Sequence, residues 1–148
     1  MLIAGFLLSA FLSACGEDPE LTQFRNNIEN FCTEISQIDT AINSIDATSE
    51  GAVAELLSHL DSLEDAFKGF AELDFPAEFD YLEEIADQAG EYMSTAVSSY
   101  HDAYGGEGYD EYIAAYASEN YSRAYKRVQI IITFLHGETP EDVDLQIE

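Results

Sequence analysis

From Leu21 onward, large apolar residues recur at alternating steps of three and four: Leu21, Phe24, Ile28, Phe31, Ile35, Ile38, Ile42 and Ile45. That spacing keeps side chains on one face of a helix turning every 3.6 residues and forms an a/d seam of the coiled-coil kind. Asp18 before Pro19 supplies an N-cap and a first-turn proline, so the pattern predicts helix 1 over about 19–47. After the cap signal Thr48-Ser49-Glu50, the same spacing resumes at Val53, Leu56, Leu60, Leu63, Phe67 and Phe70, with Leu57 widening the stripe. This predicts helix 2 over about 50–73, ended by Asp74-Phe75-Pro76 because proline lacks an amide donor and disfavours helical angles in the residue before it.

Helix 3 is predicted over about 77–104, with Phe79, Leu82, Ala86, Ala89, Met93, Ala96, Tyr100 and Ala103 on one stripe flanked by Ile85 and Tyr92. Its seam is made largely of small residues. The Gly105–Gly108 segment breaks it, and helix 4 follows over about 109–136 with Ala114, Ala117, Tyr121, Ala124, Val128, Ile131 and Leu135 in register and Gly137 as its stop. Residues 137–148 form an acidic tail too poor in apolar side chains to bury anything. Four long helices joined by short connections predict an all-α fold, an antiparallel up-down four-helix bundle over residues 19–136. A dimer of helical hairpins is the competing arrangement, since heptad seams also close between chains.

Ahead of the bundle, Leu2 to Ala14 form an uncharged apolar run, long enough for the central region of a signal peptide and short for a bilayer-spanning helix. The run closes with Leu12-Ser13-Ala14-Cys15, which resembles the lipobox of bacterial lipoproteins: a branched apolar residue, two small residues and the cysteine whose thiol takes a diacylglyceryl group. The resemblance covers these four residues and their apolar context. It implies that residues 1–14 are a signal peptide cut before Cys15, that Cys15 is lipidated, and that residues 15–18 tether the bundle to the outer, extracytoplasmic face of the bacterial cell membrane. The whole chain is similar to small acidic lipoproteins of Gram-positive bacteria, a likeness that carries no functional motif. Attachment through two or three acyl chains is stable, each buried methylene contributing about 0.8 kcal/mol. Three residues between Cys15 and Pro19 reach at most about 10 Å. In an up-down bundle the helix 2 to 3 connection and the C-terminus then lie near the lipid. The Asp46 to Gly51 turn and the Tyr104 to Tyr109 loop lie at the far end, where a partner is met first.

Charge narrows the partners. Thirty acidic residues face five basic ones, a formal net charge of −25, and none of these charges lies in residues 1–14. Such a field repels nucleic acid and anionic head groups and favours cations or basic partners. With Cys15 acylated, Cys32 is the only other cysteine and no intramolecular disulfide can form. Cys32 follows Phe31 within the apolar stripe and reads as a half-buried, inert thiol.

No residue set amounts to a reaction mechanism, and the chain reads as non-enzymatic. His59, His101 and His136 are scattered, without the Glu-x-x-His pairs of di-iron bundles or a zinc motif, so neither a metal nor another cofactor is expected. No serine lies in a Gly-x-Ser-x-Gly turn or three positions before Lys68 or Lys126. Asp102, Glu107, Asp110 and Glu111 around the glycine loop could bind calcium, although their spacing is not that of an EF-hand. Helix 4 concentrates Arg123, Lys126 and Arg127. Tyr116, Asn120, Arg123 and Arg127 run down one side of it, where a groove with helix 3 and Tyr92 could take a small carboxylate or phosphate. The competing reading is that these cations offset acidic neighbours, beginning with Glu119. All nine tyrosines fall between Tyr81 and Tyr125, either as contact area for a partner or as packing with hydroxyls at the surface. The expected function is a lipid-anchored interaction module for a protein partner or small ligand. The alternatives are a small-ligand or calcium carrier using the helix 3/4 groove, and an inhibitor or immunity-type protein acting on a basic partner.

Overall fold

The computed structural model describes residues 18–106 and 108–139 and is all-helical. Four helices, α1 (Pro19–Asn43), α2 (Ala52–Ala71), α3 (Glu83–Gly105) and α4 (Glu111–Leu135), pack as an antiparallel bundle, with a single 3₁₀ turn at Asp80–Leu82 leading into α3. Cys15, where lipidation is expected, residues 1–14, expected to be a signal peptide, and most of the acidic tail lie outside the described residues.

Local chemistry sets the helix ends. The Asp18 carboxylate accepts from the Glu20 amide at 3.0 Å, and Pro19 opens α1. α1 stops at Asn43, four residues before the predicted end. The Asp46 carboxylate takes both the Thr48 amide and hydroxyl, at 2.9 and 2.7 Å, so this stretch satisfies itself as a turn rather than a helix. α2 starts at Ala52 instead of 50, with Gly51 at the cap position and no side-chain cap. Asp110 caps α4 by accepting from the amides of Tyr112 and Ile113. At its other end Gly137 adopts φ +75°, and the amides of Gly137 and Glu138 bond to Phe134 and Thr133, a Schellman stop that favours glycine.

The α2–α3 connection departs most from the sequence pattern. α3 begins at Glu83, not 77, and Phe79, expected on its seam, belongs to the connection. Phe75 instead tilts against Phe24 of α1 and Phe79 stacks on it, with centroids 4.8 and 6.0 Å away, and Phe75 also meets Phe70 of α2. Burying these rings under the bundle outweighs extending the helix from Pro76.

Inside, the seams meet as the heptads require. Phe24, Ile28, Phe31 and Ile35 of α1 pack on Leu60, Leu63, Phe67 and Phe70 of α2, with Phe31 stacked on Phe70 at 4.3 Å. α3 and α4 make the closest backbone approach, because Ala86, Ala89, Ala96 and Ala103 face Ala114, Ala117 and Ala124 with little side chain between. The antiparallel register shows in side-chain pairs whose numbers run in opposite directions: Glu64 with Ser94 and Asp61 with His101 across α2 and α3.

Candidate functional site

On α4, two of the three basic residues, Arg123 and Arg127, meet α3 at Tyr92. The Arg127 guanidinium lies 5.2 Å and that of Arg123 5.7 Å from the Tyr92 ring centre, so one electron-rich ring serves both. Arg127 donates from Nε to Gln88 Oε1 at 2.8 Å and is only 2% exposed, while its Nη2 is buried without a protein partner. Burial pushes the guanidinium below its ordinary range and Arg123 adds to that, while Tyr92 opposes it. Arg123 pairs with Glu119 at 2.6 Å on its own helix.

Three of the five expected ligand residues, Tyr92, Arg123 and Arg127, are thus gathered. The other two are not. The Asn120 side chain is buried and donates back to the Tyr116 carbonyl at 2.9 Å, and the Tyr116 ring points to solvent. Two open grooves lie elsewhere and contain none of the five. One of about 340 Å³ runs between α1 and α2 past Asn27, Glu34, Asp65 and Gly69, and one of about 310 Å³ lies between α2 and α3 at Gly90.

A polar cluster that the periodicity did not single out links α1 to α4. Asp39 is 8% exposed; its Oδ1 accepts from the Tyr121 hydroxyl at 2.7 Å and its Oδ2 from the Tyr125 hydroxyl at 2.8 Å. The two phenol rings stack at 4.9 Å, and Tyr125 tilts against Phe67. Burial raises the pKa of both tyrosines, and the neighbouring carboxylate adds to this, so both stay protonated donors. Each carboxylate oxygen receives a phenol, which makes the cluster a clasp rather than a base. The sequence does carry a trace of it: Asp39 falls between Ile35 and Ile42 on the apolar stripe, where a carboxylate must find donors.

Across α2 and α3, Ser94 donates to Glu64 at 2.6 Å and Lys68 pairs with the same carboxylate at 2.9 Å. Partial burial would raise Glu64, but these hydrogen bonds and the Lys68 charge outweigh it and hold the carboxyl below its ordinary range. A carboxylate so stabilised is a poor base for the Ser94 hydroxyl. Around the glycine loop, Asp110 is committed to capping α4, Asp102 and Glu111 are exposed, and Glu107 lies outside the described residues. Among the described residues no group of three or more His, Cys, Asp or Glu side chains is placed to hold a metal ion. Cys32 is half-buried, and burial, with Glu29 nearby, raises its thiol pKa.

Exposed large side chains are unevenly placed. Val53, Tyr109, Tyr112 and Tyr116 stand at the end of the bundle formed by the starts of α2 and α4, and Tyr81 stands at the opposite end. Compared with known families, characterised proteins and solved structures, the chain matches none. Among the described residues no helix is long and apolar enough to cross a membrane.

Proposed function

We propose that this chain is a non-enzymatic interaction module, held on the outer face of a bacterial membrane by lipid on Cys15. One observation carries the reading: the solvent-facing aromatic side chains concentrate at the bundle end remote from residue 18. A short tether at Cys15 would present that end outward. Tyrosine offers rigid, amphipathic contact area at little entropic cost, and the grooves between the helices offer no comparable concave site. Blocking a basic protein, as an inhibitor or immunity-type protein does, belongs to the same reading.

Mass spectrometry after expression in a lipoprotein-processing host tests the anchor. Wild type is expected in the membrane fraction, beginning at a diacylated Cys15, and Cys15→Ser in the soluble or unprocessed fraction. An unmodified Cys15 in membrane-bound wild type would sink the proposal. A small-anion carrier is the second reading, favoured by the buried, unpartnered Nη2 of Arg127. It expects acetate or inorganic phosphate to raise the melting temperature of wild type but not of Arg127→Met, and an equal shift in both would dispose of it.

A further inference from the structure

Tyr112 and Tyr116, four residues apart, lie on the outer face of the first turns of α4, Tyr109 stands just before its Asp110 cap, and Tyr112 is 82% exposed. The two helical tyrosines are about 6 Å apart along the axis. Tyr104, at the end of α3, leans on Tyr109 with ring centres 5.1 Å apart and extends the aromatic surface onto the loop. These rings are not needed for packing, since α4 meets α3 through Ala114 and Ala117 on its other side.

Arg123, the basic residue nearest the tyrosines along α4, lies seven residues beyond Tyr116 and pairs with Glu119, so the charge at the tyrosine end itself is acidic. No lysine or arginine occurs in residues 26–67 or 69–122, the stretches that build this end, whereas Glu50, Asp102 and Glu111 are exposed there. Exposed tyrosine faces in an acidic field attract ammonium and guanidinium groups and repel carboxylates and phosphates. A second copy of the chain would bring the same acids against themselves. Resting on the reading of the chain as an interaction module, we propose that the Tyr109–Tyr112–Tyr116 face docks a Lys- and Arg-rich polypeptide segment of a protein partner. Basic side chains of the segment lie over the rings, and the surrounding carboxylates hold its charge.

Calorimetric titration of the full chain in detergent with a short amidated Arg/Lys peptide tests this, with a Gly/Ser peptide as blank. The expected result is saturable binding of one basic peptide per chain. Tyr112→Ser combined with Tyr116→Ser weakens it about tenfold without changing net charge. Tyr81→Ser, at the opposite end, leaves it unchanged. Both substituted tyrosines are solvent-exposed, and if the pair nonetheless loses helicity by circular dichroism, Tyr112→Ser alone is expected to weaken binding a few-fold. Equal affinity of the wild type and the double variant would mean diffuse attraction to an acidic protein and would overturn the proposal. So would tighter binding of chitotriose to the same face, or self-association abolished by the double variant. Cys15→Ser leaves this titration untouched, so failure of peptide binding and failure of the membrane anchor are separate outcomes.

Discussion

Asp39 joins α1 to α4 through two phenolic hydrogen bonds in a part of the bundle that water barely reaches. Asp39→Ala strands both hydroxyls, and urea denaturation is expected to show a loss of about 2–4 kcal/mol. Tyr125→Phe removes one bond and keeps the ring against Phe67, costing about 1–2 kcal/mol. The double variant should lose less than the sum, by about 1 kcal/mol or more, since the two residues share an interaction; strict additivity would mean that the clasp does not form. Alkaline pH tests the same cluster. Burial raises the pKa of Tyr121 and Tyr125 in the folded state, so above the ordinary tyrosine value of about 10 the unfolded chain releases phenolic protons that the folded chain keeps. Their contribution to stability is therefore whole below about pH 10 and is lost as pH rises beyond it. Urea midpoints across that range should fall together with the appearance of phenolate absorbance, and less steeply in Tyr121→Phe/Tyr125→Phe. The ingredients of the clasp were visible in the sequence, an aspartate on an apolar stripe and two tyrosines four apart. Their pairing was not, because a helix period fixes which face a residue takes and says nothing of which distant helix it meets. The same limit applied to Arg123 and Arg127. Their shared flank with Tyr92 was legible, but not that Asn120 would turn back onto its own helix.

At the scale of elements, agreement between sequence and structure followed local chemistry wherever local chemistry decided. Asp18-Pro19 and Gly137 are caps whose partners lie within a few residues, and both ends fall beside them. Helix 3 starts later than the sequence predicts: Pro76 is a good first-turn residue, yet Phe75 and Phe79 gain more by covering the ends of α1 and α2, a tertiary effect with no local signature. Two glycines separate the local from the tertiary in the same way. Gly69 lies inside α2 with nothing within 4 Å of an added Cβ, so only its backbone freedom matters. Gly69→Ala should stabilise by about 0.5–1 kcal/mol. Gly90 lies inside α3, but a Cβ there would already stand 3.2 Å from the Ala71 Cβ and 3.6 Å from the Phe67 carbonyl. Gly90→Leu should therefore cost about 1–3 kcal/mol by forcing α3 off α2, despite leucine's better helix propensity. Thermal unfolding of the two variants beside wild type checks both signs, and stabilisation by Gly90→Leu would show that the α2–α3 contact is looser than described.

Over the whole molecule, attraction cannot balance repulsion, because five basic residues leave most of the thirty acidic ones without a cationic partner. The ion pairs Lys68–Glu64 and Arg123–Glu119 each stay within one helix, and both are partly solvent-exposed, so they do little to hold the helices together. His101–Asp61 does cross from α3 to α2, but it too is exposed and carries an ionic attraction only when the histidine is protonated. What binds the helices is the apolar seam, which salt does not screen, and what pushes them apart is a net charge of −25, which salt does screen. Raising sodium chloride from about 10 mM to about 500 mM shrinks the screening distance from roughly 30 Å to a few ångströms. The melting temperature should accordingly rise by several degrees, most of the gain coming below about 150 mM, where screening over the width of the bundle is being established. A melting temperature that falls with salt would mean that specific ion pairs outweigh the net field. The same field bears on function: binding of a basic segment at the tyrosine end relieves local repulsion, so peptide affinity should fall with salt while the stability of the free protein rises. Opposite salt slopes for stability and for binding would separate a surface built to receive positive charge from an acidic protein that merely tolerates its own.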